Sequence, residues 1–125
     1  MSLKYFKKKE FTCSCGCGQT VISDELLEML DMARELAKIP FVISSGYRCK
    51  EHNENLIRKG IKASKNSAHL KGLAADIKCK NSKTRALMVD ALGYAGFTRM
   101  GLGKTFIHVD IDNKDKPSPS IWLYN

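Results

Sequence analysis

The chain lacks long hydrophobic runs, internal repeats and low-complexity segments. No apolar stretch approaches the roughly 20 residues that a membrane-spanning helix needs. Residues 1–10 contain no apolar segment of signal-peptide length, which fits a protein that starts in the cytoplasm or one whose export signal has been removed, so localisation is not assigned. No linker divides the 125 residues, and we expect a single domain over residues 1–125.

Acidic residues are scarce relative to basic ones. The chain carries 21 lysine and arginine residues against 13 acidic ones, a net charge of +8. This excess favours an anionic partner such as nucleic acid or a cell-wall polymer, although a solvated lysine-rich surface accounts for it equally well. Arginine and aromatic residues are not interleaved as a base-stacking platform requires, which argues against specific nucleic-acid binding.

The cysteines are odd in number, so they cannot all pair within one chain: Cys13, Cys15, Cys17, Cys49 and Cys79. The first three alternate with other residues, which is not the C-x-x-C spacing of structural zinc sites, and no second pair completes four ligands. We therefore favour reduced or buried thiols beside glycine turns over a structural metal site.

Hydrophobic periodicity and capping residues predict an α+β fold with a small, mostly antiparallel sheet and flanking helices. Residues 1–22 are expected to form an irregular arm, followed by a helix that Ser23 caps and that stops before Pro40. Residues 44–48 are expected to form a turn and residues 61–73 a loop. The other predicted helices are 50–59 and 82–92, with Ser82 as the cap, and the predicted strands are 41–43, 74–78, 97–102, 105–111 and 121–124.

Two histidines and one aspartate offer the ligands of a metal site. His69 precedes Asp76 by seven residues, and His108 lies in an apolar strand-like run where the period of two places Asp110 on the same face. Two imidazoles and one carboxylate leave the fourth position of a zinc ion open for water, which allows hydrolysis near neutral pH. Single histidines are commonly surface or hydrogen-bonded core residues, so composition alone leaves both interpretations open.

A longer motif surrounds this candidate site. Residues 67–76 carry the pattern S-x-H-x-x-G-x-A-x-D, which resembles the signature of the zinc D-alanyl-D-alanine carboxypeptidase family. That family belongs to a wider group with the lysostaphin-type endopeptidases and the Sonic hedgehog signalling domain. Residues 45–53 resemble the family's S-G-Y-R and H-N segment, and residues 106–110 with Trp122 resemble the closing H-V-D strand of one subgroup. The C-x-C-G-C-G opening is similar to members often carried by phages and their hosts.

The resemblance implies roles for five residues. His69, Asp76 and His108 would bind Zn²⁺. Arg48 would lie near the site and hold a peptide carboxylate or polarise a carbonyl, with a structural salt bridge as the alternative. Ser67 would form a hydrogen bond with substrate or with a ligand, with an ordinary loop role as the alternative.

One position departs from the family pattern. Many members carry Glu or Asp three residues before the last zinc histidine as general base, and this chain has Thr105, which does not accept a proton from water near pH 7. Asp110 is the nearest substitute, although it is equally placed to orient His108. His52 is a more distant candidate.

The resemblance therefore implies a zinc peptidase of carboxypeptidase or endopeptidase type that acts on peptidoglycan stem peptides at the bacterial cell wall. Its basic surface would help to hold an anionic wall polymer. Thr105 motivates one alternative, a non-catalytic wall-binding or interaction module that keeps its zinc. The charge of +8 motivates a weaker one, a nucleic-acid-binding domain.

Overall fold

The computed structural model describes residues 2–61 and 63–124 of the chain. Within these ranges the α-helices are α1 (Asp24–Ala37), α2 (Lys50–Arg58) and α3 (Ser82–Tyr94), and short 3-10 helices span Lys8–Phe11 and Ala68–Lys71. The strands of the same ranges are β1 (Ile43–Ser45), β2 (Ala74–Lys78), β3 (Arg99–Leu102), β4 (Phe106–Asp110) and β5 (Ser120–Leu123). No helix of these ranges is long and apolar enough to cross a membrane.

The five strands form one sheet in the order β1-β2-β4-β3-β5. Every neighbouring pair is antiparallel except β3 and β5, which run parallel. The prediction of an α+β fold with a mostly antiparallel sheet is confirmed.

Capping residues set the ends of the long helices. Ser23 accepts a hydrogen bond from the backbone N–H of Leu26, as expected for an N-cap, and Lys38 ends α1 in the left-handed conformation two residues before Pro40. α3 differs from its prediction, since Asn81 rather than Ser82 is the cap and accepts from the N–H of Thr84.

Strand pairing shifts the predicted boundaries by up to two residues. The predicted strand 41–43 lies instead at Ile43–Ser45, because Ile43 and Ser45 pair with Ile77 and Asp76 of β2. Tertiary pairing here overrides the turn signal of Ser44 and Ser45. The predicted loop 61–73 contains the 3-10 helix Ala68–Lys71 in its described part, and the other strand ends move by one or two residues.

The two faces of the sheet have different roles. Side chains alternate along β2 and β4, so Ile77, Ile107 and Val109 point to one face and pack in the core with α1 and α3, including Leu30 and Leu92. The other face carries the polar side chains described below.

Residues 2–22 do more than form an irregular arm. The segment contains the 3-10 helix Lys8–Phe11, and it places Phe6 and Phe11 in the hydrophobic core, where their rings meet edge to face. The backbone O of Phe11 accepts a hydrogen bond from the N–H of Tyr47 at 2.8 Å. Aromatic burial thus fixes this segment beside the loop that follows β1, a contact that the local sequence pattern does not specify.

Candidate metal centre

A row of residues crosses the polar face of the sheet. In register from edge to edge, the row holds Ser45, Asp76, His108, Gly101 and Trp122. Gly101 has no side chain, and a Cβ atom there would lie 2.5 Å from the indole of Trp122. The indole therefore lies against His108, with ring centroids 5.6 Å apart.

His69 reaches this row from the 3-10 helix Ala68–Lys71. Ser67 caps that helix, and its Oγ accepts a hydrogen bond from the backbone N–H of His69 at 3.2 Å. Gly72 ends it with φ +71°, and a Cβ atom at Gly72 would lie 2.3 Å from the carbonyl oxygen of Val21. The motif glycine is thus required both by its backbone conformation and by the close approach of the N-terminal segment.

One donor atom from each of His69, Asp76 and His108 lies within 4.8 Å of the other two, and all three residues are buried. Nδ1 of His69 donates to the carbonyl oxygen of Gly46 at 2.7 Å, which leaves Nε2 as the lone-pair nitrogen. Nε2 lies 3.3 Å from Oδ1 of Asp76, but it has no hydrogen-bond partner among the described residues. A buried acceptor aimed at a carboxylate is unfavourable alone and fits a bound cation.

His108 lies between two carboxylates. Its Nδ1 is 2.9 Å from Oδ1 of Asp76, and its Nε2 is 2.7 Å from Oδ2 of Asp110. With Nδ1 as metal ligand, Nε2–H donates to Asp110, and this carboxylate then orients the ring and raises its basicity.

Burial and contacts within the cluster shift the pKa of each ligand candidate, and they favour the ligand forms of His69 and Asp76. Burial lowers the pKa of His69, which keeps its imidazole neutral. Burial raises the pKa of Asp76, but contacts with His108 and His69 outweigh it and hold that pKa well below its usual range. Burial lowers the pKa of His108, but hydrogen bonds to Asp110 and Asp76 outweigh it and raise that pKa above its usual value.

Arg99 also lines the cleft, and the sequence reasoning missed it. Its Nε donates to Oδ1 of Asp110 at 2.6 Å, and its Nη1 donates to the carbonyl oxygen of Pro117 at 2.6 Å. The guanidinium lies over the ring of Trp122, 4.7 Å from its centroid. Burial raises the pKa of Asp110, but hydrogen bonds from His108 and Arg99 lower it to about 2. Arg99 can be identified only once the pairing of β3 with β4 is known, because that register places it opposite Asp110.

Arg48 lies at the other side of Asp76. Its Nη2 is 3.6 Å from Oδ2 of Asp76, and its Nε donates to Oγ of Ser45 at 3.3 Å. The backbone N–H of Arg48 also donates to the carbonyl oxygen of His69 at 3.2 Å. Burial lowers the pKa of Arg48 against the opposing effect of Asp76, but a guanidinium stays charged at neutral pH.

These residues border a cleft of about 690 Å³. The structure brings all six predicted site residues to it, whereas His52 and Thr105 do not line it in the described part of the chain. The Nε2 atom of His52 lies instead 3.4 Å from the Oγ atom of Ser14. The predicted site residues in the cleft wall are Arg48, Ser67, His69, Asp76, His108 and Asp110, and the aromatic residues beside them are Phe106, Trp122 and Tyr124.

Comparisons with known proteins give a family and a fold. The family profile described as Peptidase M15 matches residues 4–111. A crystal structure of the Serratia marcescens L-Ala D-Glu endopeptidase ChiX superposes with a TM-score of 0.63 at 21% sequence identity, covering 79% of this chain and 85% of that chain. At that identity the superposition shows a shared fold. A comparison with curated proteins found no match.

Proposed function

This chain belongs to the Peptidase M15 family, and from that premise we propose that it is a zinc-dependent hydrolase of peptidoglycan stem peptides. The observation that carries the proposal is the convergence of three buried donor atoms from His69, Asp76 and His108. One of them, Nε2 of His69, has no hydrogen-bond partner within residues 2–61 and 63–124. A histidine and a carboxylate from one motif, joined by a histidine from a distant strand, form a ligand set with room for a fourth ligand.

His69, Asp76 and His108 would hold the zinc ion. When bound, zinc supplies Lewis acidity that makes water nucleophilic near neutral pH and polarises a carbonyl group. Gly46 orients the ring of His69 by accepting from its Nδ1, and Asp110 orients His108 in the same way. Nitrogen and carboxylate donors are ligands that zinc accepts.

Arg48 supplies a positive charge beside the ligands. Its guanidinium lines the cleft and pairs with Asp76, while Ser45 fixes its Nε. From this position it would stabilise the negative charge that develops on a carbonyl oxygen during amide hydrolysis, or it would bind the carboxylate of a peptide end.

The cleft wall fits a peptide substrate. Phe106, Trp122 and Tyr124 provide apolar surface next to the polar ligands, and Lys116 provides a cation at the same wall. The structural neighbour ChiX is an L-Ala D-Glu endopeptidase, which motivates a test of that bond beside D-Ala-D-Ala. We place the action at the bacterial cell wall, where the net charge of +8 would favour contact with anionic polymer.

The test is digestion of purified peptidoglycan and of defined stem peptides by zinc-loaded protein, read by mass spectrometry. We expect products that disappear with a chelator and return with zinc. Loss of one alanine identifies a carboxypeptidase, and separated stem fragments identify an endopeptidase. His69→Ala, Asp76→Asn and His108→Ala should abolish turnover, because each removes a ligand.

Matched controls separate ligand loss from general damage. His52→Ala removes the remaining histidine of the sequence, whose imidazole lies outside the cleft wall, and Asp90→Asn removes an exposed carboxylate on α3. Both variants should keep activity close to that of the unmodified chain. Full activity in a folded ligand variant would refute the assignment of that ligand.

A second candidate is a zinc-containing wall-binding module without turnover. Thr105 at the usual base position favours it, because this residue is exposed and lies outside the cleft wall. Asp110 favours it as well, because its two carboxylate oxygens already have hydrogen bonds with Arg99 and His108. Protein that carries zinc and binds peptidoglycan, but yields no product from any stem peptide, would favour this candidate over hydrolysis.

A further inference from the structure

Four cysteines from two distant segments meet outside the cleft. Cys13, Cys15 and Cys17 belong to the N-terminal segment, and Cys49 is the N-cap of α2. The Sγ atoms of all four lie within 4.8 Å of one another. Cys49 therefore supplies the fourth thiol that the C-x-C-x-C spacing lacked.

Three of the sulfur separations are close to those of a tetrahedral metal site. The Sγ atom of Cys13 is 3.4 Å from that of Cys15 and 3.7 Å from that of Cys49, and Cys15 and Cys49 are 3.6 Å apart. Four thiolates around a zinc ion at about 2.3 Å leave sulfur atoms about 3.8 Å apart. All four cysteines are free, and their separations exceed the roughly 2.05 Å of a disulfide bond.

Backbone amides point at three of these sulfur atoms. The N–H groups of Cys49, His52 and Gln19 each donate, at 3.4 Å, to the Sγ atoms of Cys13, Cys49 and Cys17 respectively. Such donors stabilise thiolates, and the N-terminus of α2 adds its positive dipole end at Cys49. Gly16, between Cys15 and Cys17, has a φ of +92°, and Gly18, directly after Cys17, has a φ of +75°.

Ordinary burial of thiols does not account for this cluster. Cys15 and Cys17 are exposed, so their convergence on Cys13 and Cys49 buries little apolar surface. Cys79 shows the contrasting case, a buried thiol that contacts the carbonyl oxygen of Asn81. We propose that Cys13, Cys15, Cys17 and Cys49 form a second, structural zinc site, closed by four thiolates and separate from the ligands in the cleft.

The proposed site would tie the N-terminal segment to the loop that supports the cleft. Cys49 directly follows Arg48, whose guanidinium pairs with Asp76. In the same loop, the backbone N–H of Tyr47 donates a hydrogen bond to the carbonyl oxygen of Phe11. The carbonyl oxygen of Gly46 accepts a hydrogen bond from Nδ1 of His69. A zinc ion in the cysteine cluster would therefore hold this loop through Cys49, next to the residues that contact the cleft ligands.

Metal content and X-ray absorption of the full chain test the proposal. We expect about two zinc ions per chain, with a Zn–S shell near 2.3 Å that averages about two sulfurs per zinc, because the cleft ligands contain no sulfur. His69→Ala should lose only the cleft zinc, so the mean sulfur number should rise toward about four. The double variant Cys15→Ser/Cys17→Ser should lose the sulfur shell, while Cys79→Ala should keep it.

Alkylation of the unmodified protein tests the site without any variant. Cys15 and Cys17 are exposed, so an alkylating reagent can reach both of them as free thiols. In the zinc-loaded protein we expect both to be protected at least about tenfold until a strong chelator is added. Peptide mapping by mass spectrometry identifies which thiols react.

Three results would overturn the site: about one zinc per chain without a sulfur shell, immediate alkylation of both exposed thiols in loaded protein, or disulfides within the cluster in protein purified under reducing conditions. Peptidase activity decides the cleft proposal independently. A sulfur shell in protein without peptidase activity supports the cysteine site and counts against the proposed function.

Discussion

At the residue scale, Asp110 illustrates how a neighbour decides the role of a carboxylate. Both of its oxygens are occupied, one by Nε of Arg99 and the other by Nε2 of His108. The N–H of Asp112 adds a third donor at 3.1 Å. Of the two roles that the sequence allowed for Asp110, this environment favours orientation of His108 over proton transfer.

Asp110→Asn should therefore act on metal affinity. We expect zinc binding in the cleft to weaken by about 10-fold to 100-fold, as for other carboxylates that orient a metal-bound histidine, with kcat recovered at saturating zinc. Competition titration with a chromophoric chelator measures the affinity, and Asp90→Asn is the matched control on α3. Unchanged affinity with a kcat that stays low at saturating zinc would instead identify Asp110 as the proton acceptor.

Arg48→Gln should act on the chemical step. The substitution keeps a polar side chain but removes the positive charge beside Asp76, so we expect kcat to fall by about 10²-fold to 10³-fold. Steady-state kinetics on the best stem peptide gives the value. Arg58→Gln, at an exposed position on α2, is the control and should change kcat less than about twofold. A similar loss in both variants would argue against a role for Arg48 at the site.

At the element scale, the 3-10 helix Ala68–Lys71 is short but positions a ligand. It depends on one residue at each end, Ser67 as cap and Gly72 as terminator. The N–H of Ser23 donates to the carbonyl oxygen of Gly72 at 2.9 Å, so the start of α1 and the end of this helix are joined. The position of His69 is thus set by contacts on both sides of its helix.

Gly72→Ala should destabilise this junction strongly. Its Cβ would meet the carbonyl oxygen of Val21 at 2.3 Å, in addition to the strain of φ +71°. Gly60 is a matched control, with φ +75° and no described atom beyond its chain neighbours within 4 Å of the added Cβ. We expect Gly60→Ala to lower the free energy of unfolding by about 1–2 kcal/mol and Gly72→Ala to lower it clearly further. Urea unfolding measures both, and equal losses would show that the contact with Val21 relaxes without cost.

At the scale of the whole molecule, the N-terminal segment completes the fold. Phe6 and Phe11 are buried in the same core as α1 and α3. The segment then contacts the loop after β1 and approaches Gly72, two places that support the cleft. Residues 2–22 are therefore an integral part of the structure around the site.

Charge at this scale predicts how stability depends on pH. The chain carries +8, and Asp112 offsets part of it by pairing with Lys71 at 3.0 Å and Lys116 at 2.9 Å. Burial raises the pKa of Asp112, but its hydrogen bonds with these two lysines lower that pKa by more. The pKa of Asp112 is therefore below its ordinary value. Such a group stabilises the fold above its unfolded pKa of about 3.9 and loses this effect as the pH falls through the folded value.

Asp112→Asn should lower the free energy of unfolding by about 1–3 kcal/mol near neutral pH. The difference from the unmodified chain should shrink as the pH falls below the ordinary Asp pKa of about 3.9, because acid removes the same charge. Urea unfolding at several pH values gives this difference. Asp115→Asn is the control, since Asp115 pairs with Lys71 but is 62% exposed, and such pairs contribute little. A difference that grows in acid would contradict the assignment.

Several features of this protein were readable from the sequence alone. Ser23 caps α1, β2 spans Ala74–Lys78 as predicted, and the sheet is mostly antiparallel. Three of the residues that meet in the cleft, His69, Asp76 and His108, were also identified, because two of them share one short motif and the third lies in an apolar strand segment. Caps, hydrophobic period and motif spacing act over a few residues, so the local sequence records them.

Other features were decided only by the tertiary structure. Arg99 acquires its role through the register with Asp110, and Cys49 joins Cys13 only because α2 begins beside the N-terminal segment, 36 positions away in sequence. Ser45 continues a strand because β2 pairs with it. Each of these contacts depends on the relative placement of separate elements. That placement follows from packing of the whole core, so short-range propensity and spacing do not encode it.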